Sequence, residues 1–354
     1  MKPERILVVS PNWLGDAVMA MPALRRLARE RPAARISVLS RPAFAPLWRA
    51  VEGVADVLPL PKAESATFRA ARRLRAEGFS EALLLPNSFR SAVAPFLARI
   101  PRRRGTMTNA RRLLVNDPVR FSAAEARLHQ SFEYADILCG TPECDLSDTG
   151  FRPGAPDPAL AALLPAGAGP LVGIVPGVAR GPSKRWPRFA EAAALVAAAR
   201  PDVRFAVFGG RGEEGTCAEV AASLGAPDLC GRTDLPQFAA LLGACDAVLC
   251  NDSGGMHLAS ALGVPVVAVF GVTDPAKTGP VGPRAVVVRA EGVKAARAVR
   301  RDDPAAVSAL LSVPAARVAD ALLPLLPAPK PFPSVSDVWI IRESRPLENE
   351  SRIE

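Results

Sequence analysis

The chain has 354 residues, of which 49% are hydrophobic, and it carries 44 lysines and arginines against 35 acidic residues. This length predicts two domains of roughly 150 to 180 residues each, because a single hydrophobic core stops growing at about 250 to 300 residues. The net charge of +9 indicates a phosphate-bearing partner, and nucleic acid, anionic lipid and nucleotide sugars all qualify. Aromatic residues make up only 5% of the chain, which argues against a surface that stacks single-stranded nucleic acid.

The cysteines and the apolar runs indicate the cellular compartment in which the protein is expected. The six cysteines are scattered among mostly apolar neighbours, which predicts reduced core thiols in a cytosol. Cys139 and Cys144 are spaced like half of a zinc site, but the chain has only two histidines, so no metal is implied. Asp16 interrupts the apolar N-terminal stretch and no small-residue cleavage site follows, so export is not predicted. No apolar run reaches the roughly 18 residues that a membrane span needs.

The first half of the sequence alternates short apolar runs with longer amphipathic stretches. Strands are predicted at residues 6–10, 36–40, 54–60 and 82–85, with helices at 17–31 and 67–77. This alternation predicts a doubly wound parallel sheet. Neither strand-to-helix turn in this half has the spacing G-x-G-x-x-G, which disfavours a dinucleotide cofactor and a nicotinamide-dependent dehydrogenase.

The middle of the chain holds a basic run and a linker. Residues 99–112 contain six arginines in fourteen positions. Most charge runs are solvated loops, but this density favours a surface that binds an anionic acceptor. Residues 152–170 are rich in proline, glycine and alanine and predict the connection between two domains.

A second α/β unit follows the linker. Strands are predicted at 171–175, 203–208, 247–250 and 264–270, and the loops at 176–186, 209–214 and 251–255 should leave the same edge of one sheet. The last of these loops ends in Ser253, Gly254 and Gly255 before a short helix. Free amides at a helix start, with glycines that permit close approach, predict a seat for a diphosphate. The alternative is that Asp252 and Ser253 only cap an ordinary helix.

Four ordered stretches resemble one known family, the ADP-heptose:lipopolysaccharide heptosyltransferases. These are PNWLGDAVMAMPAL at 11–24, PNSFRSAVAPFLARIPRRRG at 86–105, PGVARGPSKRWP at 176–187 and NDSGGMHLASALGVPVVAVFG at 251–271. The resemblance covers roughly residues 5–282 and thins beyond them. It implies an α/β fold of the GT-B type, with two facing Rossmann-like domains and the active site in the cleft between them. The expected division is an acceptor-binding domain at 1–160, a nucleotide-sugar-binding domain at 161–326 and a disordered tail at 327–354.

The resemblance also implies roles for particular residues. Asp16 matches the general base, and Lys184 matches the residue that neutralises the donor diphosphate. Glu213 matches the acid that holds the ribose hydroxyls, although Glu214 is adjacent and the register could shift by one. The other donor-binding positions are Asp252 for the sugar hydroxyls, Ser253, Gly254 and Gly255 for the diphosphate, and His257 nearby on the helix. From the residues alone, Asp16 could instead cap a helix, Lys184 and Glu213 could be solvated, and His257 could be a packed core histidine.

The acceptor side is assigned to the second stretch and the basic run. The residues expected to bind the acceptor are Asn87, Ser88, Arg90, Arg103 and Arg111. The implied reaction is inverting transfer of L-glycero-D-manno-heptose from ADP-heptose to a heptose of the phosphorylated lipopolysaccharide inner core, at the cytoplasmic face of the inner membrane. No cofactor and no nucleic acid are implied. A heptosyltransferase with a different acceptor position and a non-catalytic phosphoglycan-binding protein remain the alternatives.

Overall fold

The first half of the chain forms a six-stranded parallel sheet. The structure is a computed structural model that describes residues 4–60, 64–107, 111–179, 181–296 and 299–328. Its first strands are β1 (Arg5–Val9), β2 (Arg35–Ser40), β3 (Val54–Pro59), β4 (Glu81–Leu84), β5 (Arg102–Thr106) and β6 (Asp117–Val119), in the order β3-β2-β1-β4-β5-β6. The order reverses between β1 and β4, and in open α/β sheets a ligand binds outside the carboxyl ends of the strands at such a point.

Six α-helices occur among the described residues of this half. They are α1 (Leu14–Met19), α2 (Met21–Glu30), α3 (Ala45–Arg49), α4 (Glu64–Glu77), α5 (Phe89–Leu97) and α6 (Gln130–Cys139). The single helix predicted at 17–31 is wrong, because the chain breaks at Ala20 into α1 and α2. Pro22 lies in the first turn of α2, where its missing N–H and fixed φ are tolerated, whereas a helix interior would exclude it.

The second half forms a five-stranded parallel sheet. Its strands are β7 (Leu171–Val175), β8 (Arg204–Val207), β9 (Ala247–Asn251), β10 (Val266–Phe270) and β11 (Ala285–Arg289), in the order β11-β10-β9-β7-β8. Here the order reverses between β7 and β9, so the loops that follow these two strands flank the crevice. The remaining helices are α7 (Pro158–Ala161), α8 (Phe189–Ala199), α9 (Glu214–Leu224), α10 (Leu235–Gly243), α11 (Gly254–Ala261), α12 (Pro275–Thr278), α13 (Pro304–Leu311) and α14 (Ala315–Leu322).

The two sheets belong to one packed body. An apolar cluster runs from Ile6 and Val8 of the first sheet to Val248 and Phe270 of the second. Beside it, the buried ammonium of Lys277 pairs with Glu133 at 2.5 Å. The expectation of two facing Rossmann-like sheets is confirmed, and the domain bounds at 160 and 326 stay predictions. Of the predicted tail, only residues 327 and 328 lie within the described part of the chain.

The helices are short compared with the roughly 20 residues of a membrane-spanning helix. No single helix in the described ranges is long and apolar enough to cross a bilayer. One bent pair, Pro304–Leu311 with Ala315–Leu325, passes by length and composition only when joined across a 62° break.

Candidate active site

A cavity of about 510 Å³ opens where the carboxyl edges of the two sheets face each other. From the first half it is lined by residues of α1 together with Trp13 and Gln130. From the second half it is lined by the loops that follow β7, β8 and β9, by the start of α10 and by Thr278. The volume falls within the range of small-molecule sites, about 300 to 1,000 Å³. All the predicted catalytic and donor-binding residues line it, namely Asp16, Lys184, Glu213, Asp252, Ser253, Gly254, Gly255 and His257.

An ion pair lies in the part of the cavity wall that the second half of the chain forms. The Lys184 ammonium donates to Oδ2 of Asp252, and the same oxygen accepts from the Thr273 hydroxyl at 2.8 Å. Asp252 is buried, and Lys184 is half-buried with its head at the cavity. Lys184 therefore carries a positive charge that is held in place at the cavity wall, ready for an anionic ligand.

Asn251 holds together the two loops that carry this pair. Its side-chain oxygen accepts from the backbone N–H of Trp186 at 2.9 Å, and its amide donates to the carbonyl of Pro176 at 2.8 Å. Asn251 is fully buried, and a buried amide with both ends satisfied fixes its neighbours strongly. The loop after β7 is thereby tied to the end of β9.

The start of α11 forms the anion-binding part of the wall. Ser253 is the N-cap residue, with extended backbone, but its hydroxyl makes no capping bond and has no partner among the described residues. A Cβ on Gly254 would lie 3.0 Å from the Leu14 side chain, and one on Gly255 would lie 2.9 Å from Val175. Small residues are thus required here by close packing, and the start of α11, with the buried Ser253 hydroxyl beside it, borders the cavity. Backbone amides of a first helical turn have no partner within the helix and can bind an anion.

Glu213 lies over the loop after β7. Its Oε2 accepts from the backbone N–H of Gly210 at 2.7 Å, and a Cβ on Gly177 would clash with the carboxyl group. Burial raises the pKa of Glu213, and the Gly210 hydrogen bond opposes this in part. Glu214 instead accepts from Gly212 and does not line the cavity. The geometry therefore places Glu213, and not Glu214, at the site.

His257 lies at the floor where the two halves meet. Its Nδ1 is buried and has no partner in the described part of the chain, and a Cβ on Gly15 would come within 2.9 Å of its ring. Burial lowers the pKa of His257 to about 3, against an opposing effect of Asp252. The ring is therefore neutral at physiological pH and supplies no positive charge to the site.

Asp16 is the acid that the first half contributes to the cavity. It is half-buried in the first turn of α1, whose N-cap is Trp13. Asp16 is therefore not the N-cap residue of this helix. A carboxylate in a first helical turn is stabilised by the helix dipole, and it faces the donor-binding wall across the cleft.

The predicted acceptor residues lie outside the cavity. None of Asn87, Ser88, Arg90, Arg103 and Arg111 lines it. Asn87, Ser88 and Arg90 are exposed in the loop after β4 and the start of α5, at the reversal point of the first sheet. Their part in acceptor binding stays a prediction.

The basic run at 99–112 contains two kinds of arginine, those paired within the protein and those exposed without an ion pair to any described residue, and its binding of an anionic acceptor stays a prediction. Arg102 pairs with Glu81 and Asp117, and Arg104 pairs with Asp117 and Asp136. These contacts tie β5 to neighbouring strands and to α6. The paired carboxylates offset the positive charge that Arg102 and Arg104 add to this part of the surface.

Arg103 and Arg111 also donate hydrogen bonds within the protein, while the buried Nε and Nη2 of Arg111 have no partner among the described residues. Arg103 donates to the carbonyl of Leu114 at 2.7 Å. The fully buried guanidinium of Arg111 donates to the carbonyl of Pro86 at 2.9 Å, and burial lowers its pKa. Arg111 thus supports the loop that presents Asn87 and Ser88, and direct contact with an acceptor remains untested for both arginines.

Several cavity residues were not predicted from the sequence. They are Trp13, Gln130, Thr233, Asp234, Phe238 and Thr278. The pair Asp234 and Gln237 forms a complete capping box at the start of α10, a pattern readable in the sequence that places this helix start near the loops. Gln130 and Thr278 come from opposite halves of the chain, and no local pattern marks them. No group of three or more metal-ligating side chains occurs among the described residues.

The fold and cleft resemble those of solved glycosyltransferases. The structure of ADP-heptose lipopolysaccharide heptosyltransferase II from Escherichia coli superposes with a TM-score of 0.75 at 27% identity, over 91% of this chain and 98% of that one. Escherichia coli heptosyltransferase WaaC with ADP superposes with a TM-score of 0.68 at 19% identity, over 91% and 99%. Two facing parallel sheets with the cavity between their carboxyl edges define a glycosyltransferase of the GT-B class.

Sequence comparisons give the family. The model of glycosyltransferase family 9 (heptosyltransferase) matches residues 67–307. Lipopolysaccharide heptosyltransferase 2 of Escherichia coli K12 is 32% identical over 314 residues, which cover 80% of this chain and 88% of the relative. The chain therefore belongs to glycosyltransferase family 9, the heptosyltransferases.

Proposed function

We propose that the protein transfers L-glycero-D-manno-heptose from ADP-heptose to a heptose of the phosphorylated lipopolysaccharide inner core. The observation that carries this proposal is the wall formed by Lys184 and the start of α11, where the buried Ser253 hydroxyl has no partner among the described residues. Amides at a helix start, a hydroxyl and a fixed ammonium are the groups that bind a diphosphate. Relatives with the printed name lipopolysaccharide heptosyltransferase 2 favour the same substrates.

The donor is placed by matching its groups to this wall. The adenosine lies near Glu213, whose carboxylate accepts from the ribose hydroxyls, and the diphosphate lies over Ser253, Gly254 and Gly255. Asp252 faces the sugar, with one oxygen already engaged by Lys184 and Thr273. Lys184 keeps its charge beside the diphosphate as the bond to the sugar breaks, so it stabilises the leaving group in the transition state more than in the ground state.

Asp16 supplies the base for the attack. In an inverting transfer the acceptor hydroxyl approaches the anomeric carbon from the face opposite the diphosphate. Its proton must therefore be taken by a group on the first-half side of the cleft. Asp16 is the acid that α1 presents to the cavity from that side. The hydroxyl proton passes to the Asp16 carboxylate, the new glycosidic bond forms, and ADP leaves with the electrons of the broken bond.

The acceptor enters from the β4 side of the first sheet. The loop with Asn87 and Ser88, supported from beneath by Arg111, borders the crevice there. We place the protein in the cytoplasm, in peripheral contact with the inner membrane that carries the acceptor. No metal or cofactor is invoked in this reaction.

The proposal is tested by mixing the pure protein with ADP-heptose and two defined acceptors, one heptose-free core and one core that carries a single heptose. Mass spectrometry should detect one added heptose on the second acceptor alone. Addition to the heptose-free core would reassign the acceptor position. A failure to extend either acceptor by a protein that still binds ADP would support the non-catalytic alternative and overturn the proposal.

A further inference from the structure

Large apolar side chains are exposed along one outer face of the first half. Phe68 of α4 is 67% exposed and Leu113 is 86% exposed, and Phe89 and Phe96 of α5 are also exposed. Phe89 and Phe96 are seven residues apart and therefore share one face of α5. Exposed apolar side chains that occur together on a soluble protein mark an interaction surface more often than single ones do.

These residues lie on neighbouring elements. α4 and α5 pack side by side over one face of the first sheet, through a shared cluster that includes Leu74, Ala92 and Leu114. The Arg103 guanidinium stacks 5.4 Å above the Phe96 ring and donates to the Leu114 carbonyl. Arg103 thus lies between Phe96 and the backbone next to Leu113, and it lines one surface depression together with Phe96, Arg75 and Arg99.

The same patch is strongly cationic. Its arginines are exposed and form no ion pair with any described residue: Arg69, Arg72, Arg73, Arg75, Arg99 and Arg112. The one acid of α4 with a described side chain, Glu77, pairs with Arg5. We call these six arginines, together with Phe68, Phe96 and Leu113, the α4–α5 face.

We propose that the α4–α5 face binds the surface of an anionic lipid bilayer. Arginines that surround Phe and Leu side chains suit an interface where the rings enter the headgroup boundary and the charges meet lipid phosphates. A second copy of this chain is a poorer occupant, because a two-fold contact would set six arginines against six others. α5 begins at the loop after β4, so a bilayer on this face would lie beside the cleft mouth and locate the membrane contact of the proposed function.

The test is co-sedimentation of the full chain with vesicles, without substrates. Binding should be strong to vesicles of phosphatidylglycerol and phosphatidylcholine, weak to phosphatidylcholine alone, and reduced by salt. Arg72→Gln with Arg73→Gln should weaken binding about 30-fold, since each arginine near an anionic surface contributes about 1 kcal/mol. Phe68→Ser with Leu113→Ser should weaken it at least as much, because two exposed apolar side chains no longer enter the interface.

Matched controls lie elsewhere on the surface. Arg49→Gln with Arg127→Gln removes two exposed charges, and Leu195→Ser with Leu311→Ser removes two exposed leucines. These controls should bind vesicles like the wild type. Equal effects of control and patch variants, or equal binding to both kinds of vesicle, would overturn the proposal. So would a dimer in solution that the patch variants convert to a monomer.

A second readout separates this proposal from the transfer activity. The patch variants should retain turnover with a soluble acceptor fragment and lose it only with acceptor embedded in vesicles. Loss with both acceptors would assign the face to substrate binding and overturn its membrane role. Vesicle binding needs no substrate, so a failure of the proposed heptosyl transfer would leave this result unaffected.

Discussion

Removal of the His257 imidazole should change how stability depends on pH. The pKa of this buried ring is lowered to about 3, whereas a histidine in an unfolded chain titrates near pH 6.5. Between these values the unfolded chain binds a proton that the folded chain does not, so the free energy of unfolding falls as the pH falls. Each unit by which the pH falls in this window lowers the free energy of unfolding by about 1.4 kcal/mol. The loss between pH 6.5 and pH 5 is therefore about 2 kcal/mol.

The assay is urea unfolding of the wild type and of His257→Leu, each at about pH 7 and about pH 5. Between about pH 7 and about pH 5 the free energy of unfolding of the variant should rise by about 2 kcal/mol relative to that of the wild type. Comparison of differences cancels the other titrating groups, including Glu213, whose raised pKa acts in the opposite direction. The two proteins could instead differ in unfolding free energy by the same amount at both pH values. That result would show that the ring titrates normally and would refute its burial as a neutral group.

Three further predictions concern the cleft. Asp16→Asn should lower kcat by about 10²- to 10⁴-fold with unchanged ADP affinity, measured by transfer kinetics and calorimetry; near-normal turnover would remove Asp16 as the base. Glu213→Gln should weaken ADP binding in calorimetry while Glu214→Gln should not, and the reverse result would shift the register by one. Glu133→Gln leaves the buried Lys277 ammonium unpaired and should cost about 3 to 5 kcal/mol of unfolding free energy; a smaller loss in urea unfolding would mean that this pair is solvated.

The sequence was sufficient where the structure is set by local pattern. The run from Ala247 to Gly255 gives a buried strand, a loop and a helix start because an apolar stretch is followed at once by polar residues and glycines. The next strands and loops follow the same rule, so their carboxyl ends meet at one edge without any long-range information. The pattern therefore predicted that these loops share one edge, whereas the roles of Lys184, Glu213 and Asp252 followed from the resemblance to the family.

Contacts between distant segments could not be predicted in this way. Arg102 and Arg104 looked like surface charges because their partners Glu81, Asp117 and Asp136 lie between 13 and 32 residues away. Composition records the density of charge in a run but not the strand pairing that neutralises it. The separation of paired arginines on β5 from the unpaired ones on the α4–α5 face therefore needed the fold.

Asn251 explains why the donor wall exists before any ligand arrives. One buried side chain fixes both the carbonyl of Pro176 and the N–H of Trp186, so the loop that carries Lys184 is held from both sides. The Asp252 carboxylate, one residue further on, then fixes the ammonium itself. A donor that meets loops already held in place loses less conformational freedom on binding, and the charge at the leaving group needs no rearrangement during the reaction. Asn251 does not line the cavity, yet the placement of Lys184 against the start of α11 depends on it.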